Sequence, residues 1–249
     1  MKALNAKHYV FEVVLKREEI ISYKTYPFSI PAIAGLHELE LHPNVTFFIG
    51  ENGAGKSTLV EAIAVASGLN AEGGSKNFNF ATKITHSQLH QKILLRKGVK
   101  KPKDTYFLRA ESFYNVASNI EELGIEEFYG DKSLHAQSHG ESFMSLFLHR
   151  FKANVFYILD EPEAALSPTR QLAFLSRLHQ LVEEGSQFII ATHSPIILAY
   201  PKARIYKIDE NGITDVEYEE TEHFAVNKRF ANNYKNMLAE LMDLPLADK

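Results

Sequence analysis

The residues most able to do chemistry form one short glycine-rich stretch in the first quarter of the chain. Its eight residues, 50–57, match the pattern G-x-x-x-x-G-K-[ST] at every fixed position. The glycines permit the loop to curl so that successive backbone N–H groups point inward at a phosphate chain, and the helix that follows adds its positive end. Lys56 is then expected to contact the β- and γ-phosphates, and the Ser57 hydroxyl is expected to bind Mg²⁺. The candidate nucleotide-binding residues are Gly50, Glu51, Asn52, Gly53, Ala54, Gly55, Lys56, Ser57 and Thr58.

Two adjacent carboxylates, Asp160 and Glu161, form the second group of candidate catalytic residues. They follow the apolar run 155–159 and begin 104 residues after Lys56. Ligands of open parallel sheets bind at the carboxyl ends of the strands, where these two acids would lie. Asp160 is predicted to hold Mg²⁺ through water, and Glu161 is predicted to polarise a water molecule for attack on the γ-phosphate.

Strand-sized segments separated by helical segments indicate the framework that positions these groups. Apolar strands of this kind are typical of a parallel sheet covered by helices on both faces, so we expect an α/β fold and a single domain over residues 1–249. The predicted strands are residues 8–15, 44–49, 105–109, 155–159 and 187–191. The predicted helices are residues 56–66, 111–152 in part, 168–184 and 221–242, with a hairpin at 203–218 that turns at Asn211-Gly212. Residues 84–96 fit either a helix or a strand.

Three further motifs occur in the order found in ABC-type ATPases, and the chain resembles that family over roughly residues 8–215. Residues 137–141, Gln-Ser-His-Gly-Glu, resemble a degenerate form of the L-S-G-G-Q signature at the start of a predicted helix. Residues 163–167, Glu-Ala-Ala-Leu-Ser, resemble the D-loop, with Ser167 in place of the usual Asp. In Thr-His-Ser-Pro at 192–195, His193 matches the switch histidine that contacts the γ-phosphate.

The resemblance implies a P-loop NTPase fold with a mainly parallel sheet, an antiparallel β subdomain and a small helical insert at about residues 111–152. It also implies an ATP-sandwich homodimer, in which the signature of one subunit completes the nucleotide site of the other. The signature residues acting in trans would be Ser138, His139, Gly140 and Glu141. A hydroxyl and a glycine at a helix N-terminus suit this role because they can bind a phosphate.

Two more positions follow from the resemblance with a weaker motif match. The family's Q-loop lacks its glutamine here, and Glu111 is the candidate at the equivalent position, as a ligand of the metal. An aromatic side chain that stacks on adenine is expected about two dozen residues before the phosphate loop. Tyr26 is the best placed, with Tyr23 and Phe28 as alternatives.

The composition excludes several classes of protein. The chain of 249 residues is 45% hydrophobic and 23% charged, which is typical of a globular protein. No apolar run approaches the ~20 residues that cross a bilayer, and the absence of cysteine excludes disulfides and thiolate chemistry. We therefore expect a cytoplasmic protein without direct membrane insertion. The net charge is −4, yet the segment from Lys92 to Arg109 carries seven cations and one acid, which indicates either a nucleic-acid site or a solvated surface loop.

These patterns predict a compact, stand-alone ATP hydrolase, without transmembrane or coiled-coil parts, that uses ATP and Mg²⁺ as a homodimer. Opening and closing of the dimer would drive a conformational change in a protein effector or on nucleic acid. Three alternatives stay open: the ATP-binding subunit of an ABC transporter, a P-loop kinase with a small acceptor, and an ATP-dependent binding switch with low turnover. A kinase explains the phosphate loop and Asp160, but it does not explain Glu161 or His193.

Overall fold

The structure of the protein is a computed structural model that describes residues 7–75, 87–109, 143–145, 147–148 and 150–243. In chain order the strands are β1 (Val10–Leu15), β2 (Glu38–Glu40), β3 (Val45–Ile49), β4 (Gly74–Ser75), β5 (Ile93–Lys97), β6 (Asp104–Arg109), β7 (Val155–Asp160), β8 (Gln187–Ala191), β9 (Ala203–Asp209) and β10 (Gly212–Val216). The labelled helices are α1 (Pro31–Ala34), α2 (Lys56–Ala66), α3 (Leu89–Lys92), α4 (Pro168–Glu183), α5 (Pro195–Leu198) and α6 (Glu222–Met242). Residues 143–145 and 147–148 are also helical. Short 3₁₀ turns cover Arg17–Glu19, Pro162–Ala165 and Tyr218–Glu220.

Among the described residues, seven strands form the main sheet, in the order β10-β9-β3-β8-β7-β6-β4. The five strands from β9 to β6 are parallel, and the edge strands β10 and β4 run antiparallel to their neighbours. Every residue of β3, β7 and β8 is buried, as apolar runs predict for strands covered on both faces. The predicted α/β fold with a mainly parallel sheet is confirmed.

The parallel register brings four strand ends to the same edge of the sheet. Asp160, the last residue of β7, pairs with Ala191 at the end of β8, which in turn pairs with Phe48 of β3. On the other side of β7, Arg109 at the end of β6 pairs with Asp160. The loop after β3, the acids at the end of β7 and the segment after β8 are therefore neighbours.

A second sheet, in the order β2-β1-β5, is antiparallel throughout, which agrees with the antiparallel part expected from the family resemblance. The ambiguous stretch 84–96 includes both α3 and β5, one directly after the other. Gln187 joins the two sheets, because its Oε1 accepts the N–H groups of Tyr9 and Val10 at 2.9 and 3.1 Å. Its Nε2 donates to the carbonyl of Val10 at 2.7 Å. The fully buried amide is thus paired by backbone groups of Tyr9, Val10 and His42.

Alternating side chains of the central strands fill an apolar core on each face of the main sheet. On one face, Tyr157 of β7 stacks on Phe151 with ring centroids 4.2 Å apart and on Phe188 at 4.9 Å. On the other face, Leu59 and Ile63 of α2 are fully buried. Burial of α2 fixes the helix that begins at the phosphate loop, at about 1.5–3 kcal/mol for each large apolar side chain.

The C-terminal hairpin turns one residue earlier than the sequence predicts. Asp209 pairs with Gly212, so the turn residues are Glu210 and Asn211 rather than Asn211-Gly212. Asp209 Oδ1 accepts the N–H of Asn211 at 2.8 Å and stabilises this turn. The helix α6 follows, with a non-helical residue at Asn233.

Most of the predicted helical insert lies outside the described residues, so that part of the fold stays a prediction. Within the described part of the chain, no helix combines the length and the apolar character needed to span a membrane.

Candidate functional site

The phosphate loop runs from the end of β3 to the start of α2, as its motif requires. Gly50 has a φ of 149°, and a Cβ at this position would lie 2.1 Å from the carbonyl oxygen of Ile208 in β9. Gly55 has a φ of 105°, and a Cβ there would lie 2.9 Å from Cγ2 of Ile30. The loop therefore packs so closely between β9 and Ile30 that these two positions require glycine.

Lys56 is buried at the base of this loop, with 4% of its surface exposed. Its Nζ donates to the carbonyl oxygens of Gly50 at 2.7 Å and Glu51 at 3.0 Å. Burial lowers the pKa of Lys56, and the nearby carboxylates of Glu161 and Asp160 oppose that effect. The ammonium group thus lies among loop carbonyls and acids, where it can meet a phosphate chain held by the same loop.

Ser57 and Asp160 meet at the end of β7, as the predicted metal site requires. The Ser57 hydroxyl donates to Asp160 Oδ1 at 3.2 Å, and Asp160 is only 3% exposed. A hydroxyl and a carboxylate are hard oxygen ligands, which Mg²⁺ prefers over nitrogen or sulfur. The donor set therefore fits the predicted ion, with Ser57 and Asp160 as the residues that would hold it.

Arg109 and Glu61 also belong to this cluster, although sequence analysis did not predict either of them as a site residue. Arg109 Nε lies 3.3 Å from Asp160 Oδ2, and its Nη1 lies 3.1 Å from Glu61 Oε2. Asp160 thus has one oxygen toward Ser57 and the other toward a cation. The sequence signal that could have identified Arg109 was its position at the end of a predicted strand of the parallel sheet. Its partners are 48 and 51 residues away and have no local motif.

Glu161 and His193 face each other across the mouth of the site. A cleft of about 510 Å³ is lined by Glu51, Asn52, Glu161 and His193. The His193 Nε2 lies 3.7 Å from Glu161 Oε1. Glu161 has a left-handed backbone with a φ of 53°, and its N–H donates to the carbonyl of Ala191 at 2.9 Å. Non-glycine residues in this conformation cluster at functional sites, and here it directs the carboxylate into the cleft.

The electrostatic surroundings keep His193 neutral near pH 7. Burial lowers the pKa of the imidazole, the charge of Lys56 lowers it further, and Glu161 partly opposes both effects. The ring of His223, from the first turn of α6, lies beside His193 with centroids 5.8 Å apart. A neutral imidazole can donate from one ring nitrogen to a phosphate oxygen.

Among the three aromatic residues that could stack on adenine, only Tyr26 presents its ring to solvent next to the phosphate loop. The residue is 67% exposed, and its hydroxyl lies 3.3 Å from Thr58 Oγ1 in the first turn of α2. Phe28 is buried in the core, and Tyr23 packs against that core. The structure therefore places Tyr26, rather than its alternatives, beside the nucleotide-binding residues.

The seven cations between Lys92 and Arg109 do not form one surface. Lys92 pairs with Glu19 at 3.3 Å, and Arg96 pairs with Glu12 inside the three-stranded sheet. Arg109 lies in the site beside Asp160. The pattern of charge in the sequence therefore mixes ion pairs of β5, a site residue and surface lysines.

Five sequence-predicted site residues lie outside the described residues. They are Glu111 and the signature residues Ser138, His139, Gly140 and Glu141. Their roles stay predictions.

One family model, described as an AAA domain, matches residues 24–149, which is half of the chain. The chain belongs to the AAA-domain family. A second family model, whose description names an AAA domain, the AbiEii toxin and a type IV TA system, matches residues 142–199. Together with the motif order and the two sheets, these matches support the ABC-type P-loop ATPase that the sequence predicts.

Other similar proteins include ABC transporter components and an SMC head domain. A curated relative, ABC transporter G family member STR2 of Medicago truncatula, is 27% identical over 172 residues, or 61% of this chain. The AAA-domain chain spans only 24% of that relative. CbiO1 of Clostridium perfringens, part of the ABC transporter complex cbiONQ, has 19% identity and a TM-score of 0.47, covering 95% of this chain and 100% of its own. The SMC head domain of Thermotoga maritima has 17% identity and a TM-score of 0.47, covering 84% and 99%.

Proposed function

We infer that this protein hydrolyses ATP in the cleft between the phosphate loop and the ends of β7 and β8. One observation supports this most directly: Ser57 Oγ and Asp160 Oδ1 lie 3.2 Å apart, and Glu161, the residue after Asp160, lines the cleft together with His193. A nucleotide-binding loop alone would serve a kinase or a switch equally well. The carboxylate of Glu161 beside a neutral His193 adds a group that can orient a water molecule and a group that can donate to the γ-phosphate.

The roles of the side chains follow from their positions. Lys56 Nζ would exchange the carbonyl oxygens of Gly50 and Glu51 for β- and γ-phosphate oxygens, which are stronger acceptors. Glu161 would accept a hydrogen bond from the attacking water and direct its lone pair at phosphorus. His193 would donate from Nε2 to a γ-phosphate oxygen. A Mg²⁺ ion held by Ser57 and Asp160 would supply positive charge to the phosphate oxygens.

A second copy of the chain is proposed to close the site. Glu161 has 39% of its side chain exposed and His193 has 34%, so both side chains are partly open to solvent in this chain alone. Excluding water would strengthen the hydrogen bonds and the charges that act on the γ-phosphate. In the proposed homodimer, Ser138 and Gly140 of the second copy would bind the γ-phosphate, and opening of the dimer after hydrolysis would act on a protein or nucleic-acid partner.

The transporter alternative is favoured by one finding, the similarity to an ABC transporter G family member. Under that proposal the chain would associate with a separate membrane-spanning protein. Fractionation of native cells into membranes and supernatant would distinguish the two functions. A transporter subunit would sediment with the membranes and be released by detergent. A stand-alone ATPase would stay in the supernatant.

The test of the proposal is phosphate release from ATP by the purified protein, with and without DNA, RNA or a small acceptor. We expect turnover without an acceptor, loss of nucleotide binding in Lys56→Ala, and an ATP-bound dimer in Glu161→Gln by light scattering. The matched controls are Lys202→Ala and Glu184→Gln, which change the same residue types away from the site. Phosphate transfer only in the presence of an acceptor would support a kinase. Undetectable turnover with unchanged ATP affinity would support a binding switch.

A further inference from the structure

The carboxylate of Glu163 joins the turn after β7 to the segment that carries His193. Glu163 Oε2 accepts the hydroxyl of Thr192 at 2.7 Å, and Oε1 accepts the backbone N–H of His193 at 2.5 Å. Both donors are neutral, and burial raises the pKa of Glu163 while these two bonds oppose the rise. A carboxylate buried beside neutral donors costs folding stability relative to an uncharged side chain. Stability therefore does not explain why a carboxylate occupies this position, and its two directed hydrogen bonds indicate another role.

A second set of bonds joins the same two segments at the other end of the turn. The Ser194 hydroxyl donates to Gln171 Oε1 at 2.5 Å, and Gln171 Nε2 donates to the carbonyl of Leu166 at 3.0 Å. The N–H of Ser194 donates to Thr192 Oγ1 at 3.0 Å, which continues the chain of bonds back toward Glu163. The turn from residue 162 to 166 is therefore tied to residues 192–194 at both ends.

The imidazole of His193 depends on this backbone anchor for its direction. Within the described part of the chain, its Nε2 has no hydrogen-bond partner, and the nearest carboxylate oxygen, of Glu161, is 3.7 Å away. The orientation of the ring is thus set mainly by the backbone at residue 193 and by packing against His223. A shift of about 1 Å in a group of this kind is enough to slow a reaction about a hundredfold.

We propose that Glu163 is a positioning residue that holds His193 in line with the nucleotide, and that Gln171 and Ser194 make the turn 162–166 move together with residues 192–194. This inference rests on the proposed hydrolysis of ATP. It assigns to Glu163 a role distinct from that of Glu161, because the Glu163 carboxylate faces Thr192 and the backbone rather than the cleft. Movement of His193 on loss of the γ-phosphate would then displace the turn as well.

The test compares Glu163→Ala and Glu163→Gln with the surface control Glu184→Ala. We expect Glu163→Ala to lower kcat about tenfold to a hundredfold and to leave the Kd for ATP within about twofold. Glutamine keeps one acceptor for the N–H of His193, so its loss should be smaller. The decisive measurement is the double variant Glu163→Ala with His193→Ala, which should be no slower than His193→Ala alone.

Hydrogen exchange gives a readout that is independent of turnover. Glu163→Ala should speed amide exchange in the peptide that contains residues 192–194 by about tenfold or more, and Gln171→Ala should do the same. Unchanged exchange and unchanged kcat in both Glu163 variants would overturn the proposal, as would multiplicative losses in the double variant. If Glu163→Ala does not fold, Glu163→Gln and Gln171→Ala decide the question. If wild-type protein releases no phosphate, the proposed function fails, whereas wild-type turnover with an inert Glu163 removes only this inference.

Discussion

Replacing Gly50 with alanine tests the link between β9 and the phosphate loop. The Cβ added by Gly50→Ala would lie 2.1 Å from the carbonyl oxygen of Ile208 and 3.1 Å from its carbonyl carbon. Both atoms belong to the backbone of a strand that pairs in parallel with β3, so neither can rotate away. The φ of 149° at this position is also one that alanine rarely adopts.

The two effects can be estimated separately. A residue forced into a sparsely populated backbone region costs about 1–3 kcal/mol, and overpacking against fixed neighbours costs about 1–3 kcal/mol more. We therefore expect Gly50→Ala to lower the free energy of unfolding by about 2–6 kcal/mol, which is a fall in Tm of roughly 4–24 °C for a chain of this size. Gly53→Ala is the matched control. Gly53 also has a positive φ, of 83°, but a Cβ there meets no atom within 4 Å, so only the backbone cost of about 1–3 kcal/mol applies.

The measurement is urea unfolding of both variants and the wild type without added nucleotide, followed by circular dichroism. Gly50→Ala should be less stable than Gly53→Ala by about 1–3 kcal/mol, which is the overpacking contribution. Equal stabilities of the two variants would show that the contact with Ile208 is not close enough to matter. A Gly50→Ala variant within about 1 kcal/mol of wild type would refute the reasoning altogether.

Three further predictions concern the site. Arg109→Gln should lower the free energy of unfolding at pH 7 by about 2–3 kcal/mol, because it removes the cation between Asp160 and Glu61; a change below about 0.5 kcal/mol in urea unfolding would contradict this. Glu163→Gln should gain stability relative to wild type as the pH rises above the pKa of glutamate in the unfolded chain, since the raised pKa in the folded protein means that ionisation of the wild-type carboxyl disfavours folding; a difference that does not vary with pH would be inconsistent with it. Tyr26→Ala should weaken ATP affinity about tenfold by calorimetry while Tyr26→Phe keeps it, and equal affinities of all three proteins would exclude stacking on the base.

The parts of the site that could be predicted from the sequence are those specified by neighbouring residues. The phosphate loop needs a buried strand before it, glycines within it and a helix after it, and all three are local properties of residues 44–66. Asp160 and Glu161 were predictable because an apolar run ends at them and the carboxyl edge of a parallel sheet is where ligands bind. The strand order of the parallel sheet then places these segments side by side.

The parts that could not be predicted depend on pairings between distant segments. Arg109 belonged to a run of cations in the sequence, and only the register of β6 against β7 places it at Asp160. The bonds of Glu163 to Thr192 and His193 join residues that are 29 and 30 positions apart in the chain. The hairpin prediction was wrong by one residue for a different reason. The Asn-Gly pair is a strong turn signal, but the side chain of Asp209 binds the N–H of Asn211 and stabilises a turn one residue nearer the N-terminus.

The present hydrogen-bond partners of the phosphate-loop side chains determine how much each side chain can add to ATP affinity. Lys56 already donates to two loop carbonyls, and the Ser57 hydroxyl already donates to Asp160. A triphosphate would replace these bonds rather than add to them, so each contributes only the difference between a phosphate oxygen and its present acceptor. Among the loop N–H groups, that of Ala54 likewise donates to the carbonyl of Glu51 at 3.2 Å, whereas the positive end of α2 adds its charge without such an exchange. The positive end of α2 and the backbone of residues 50–57, which the glycines make possible, should therefore add to the affinity that the charge of Lys56 supplies.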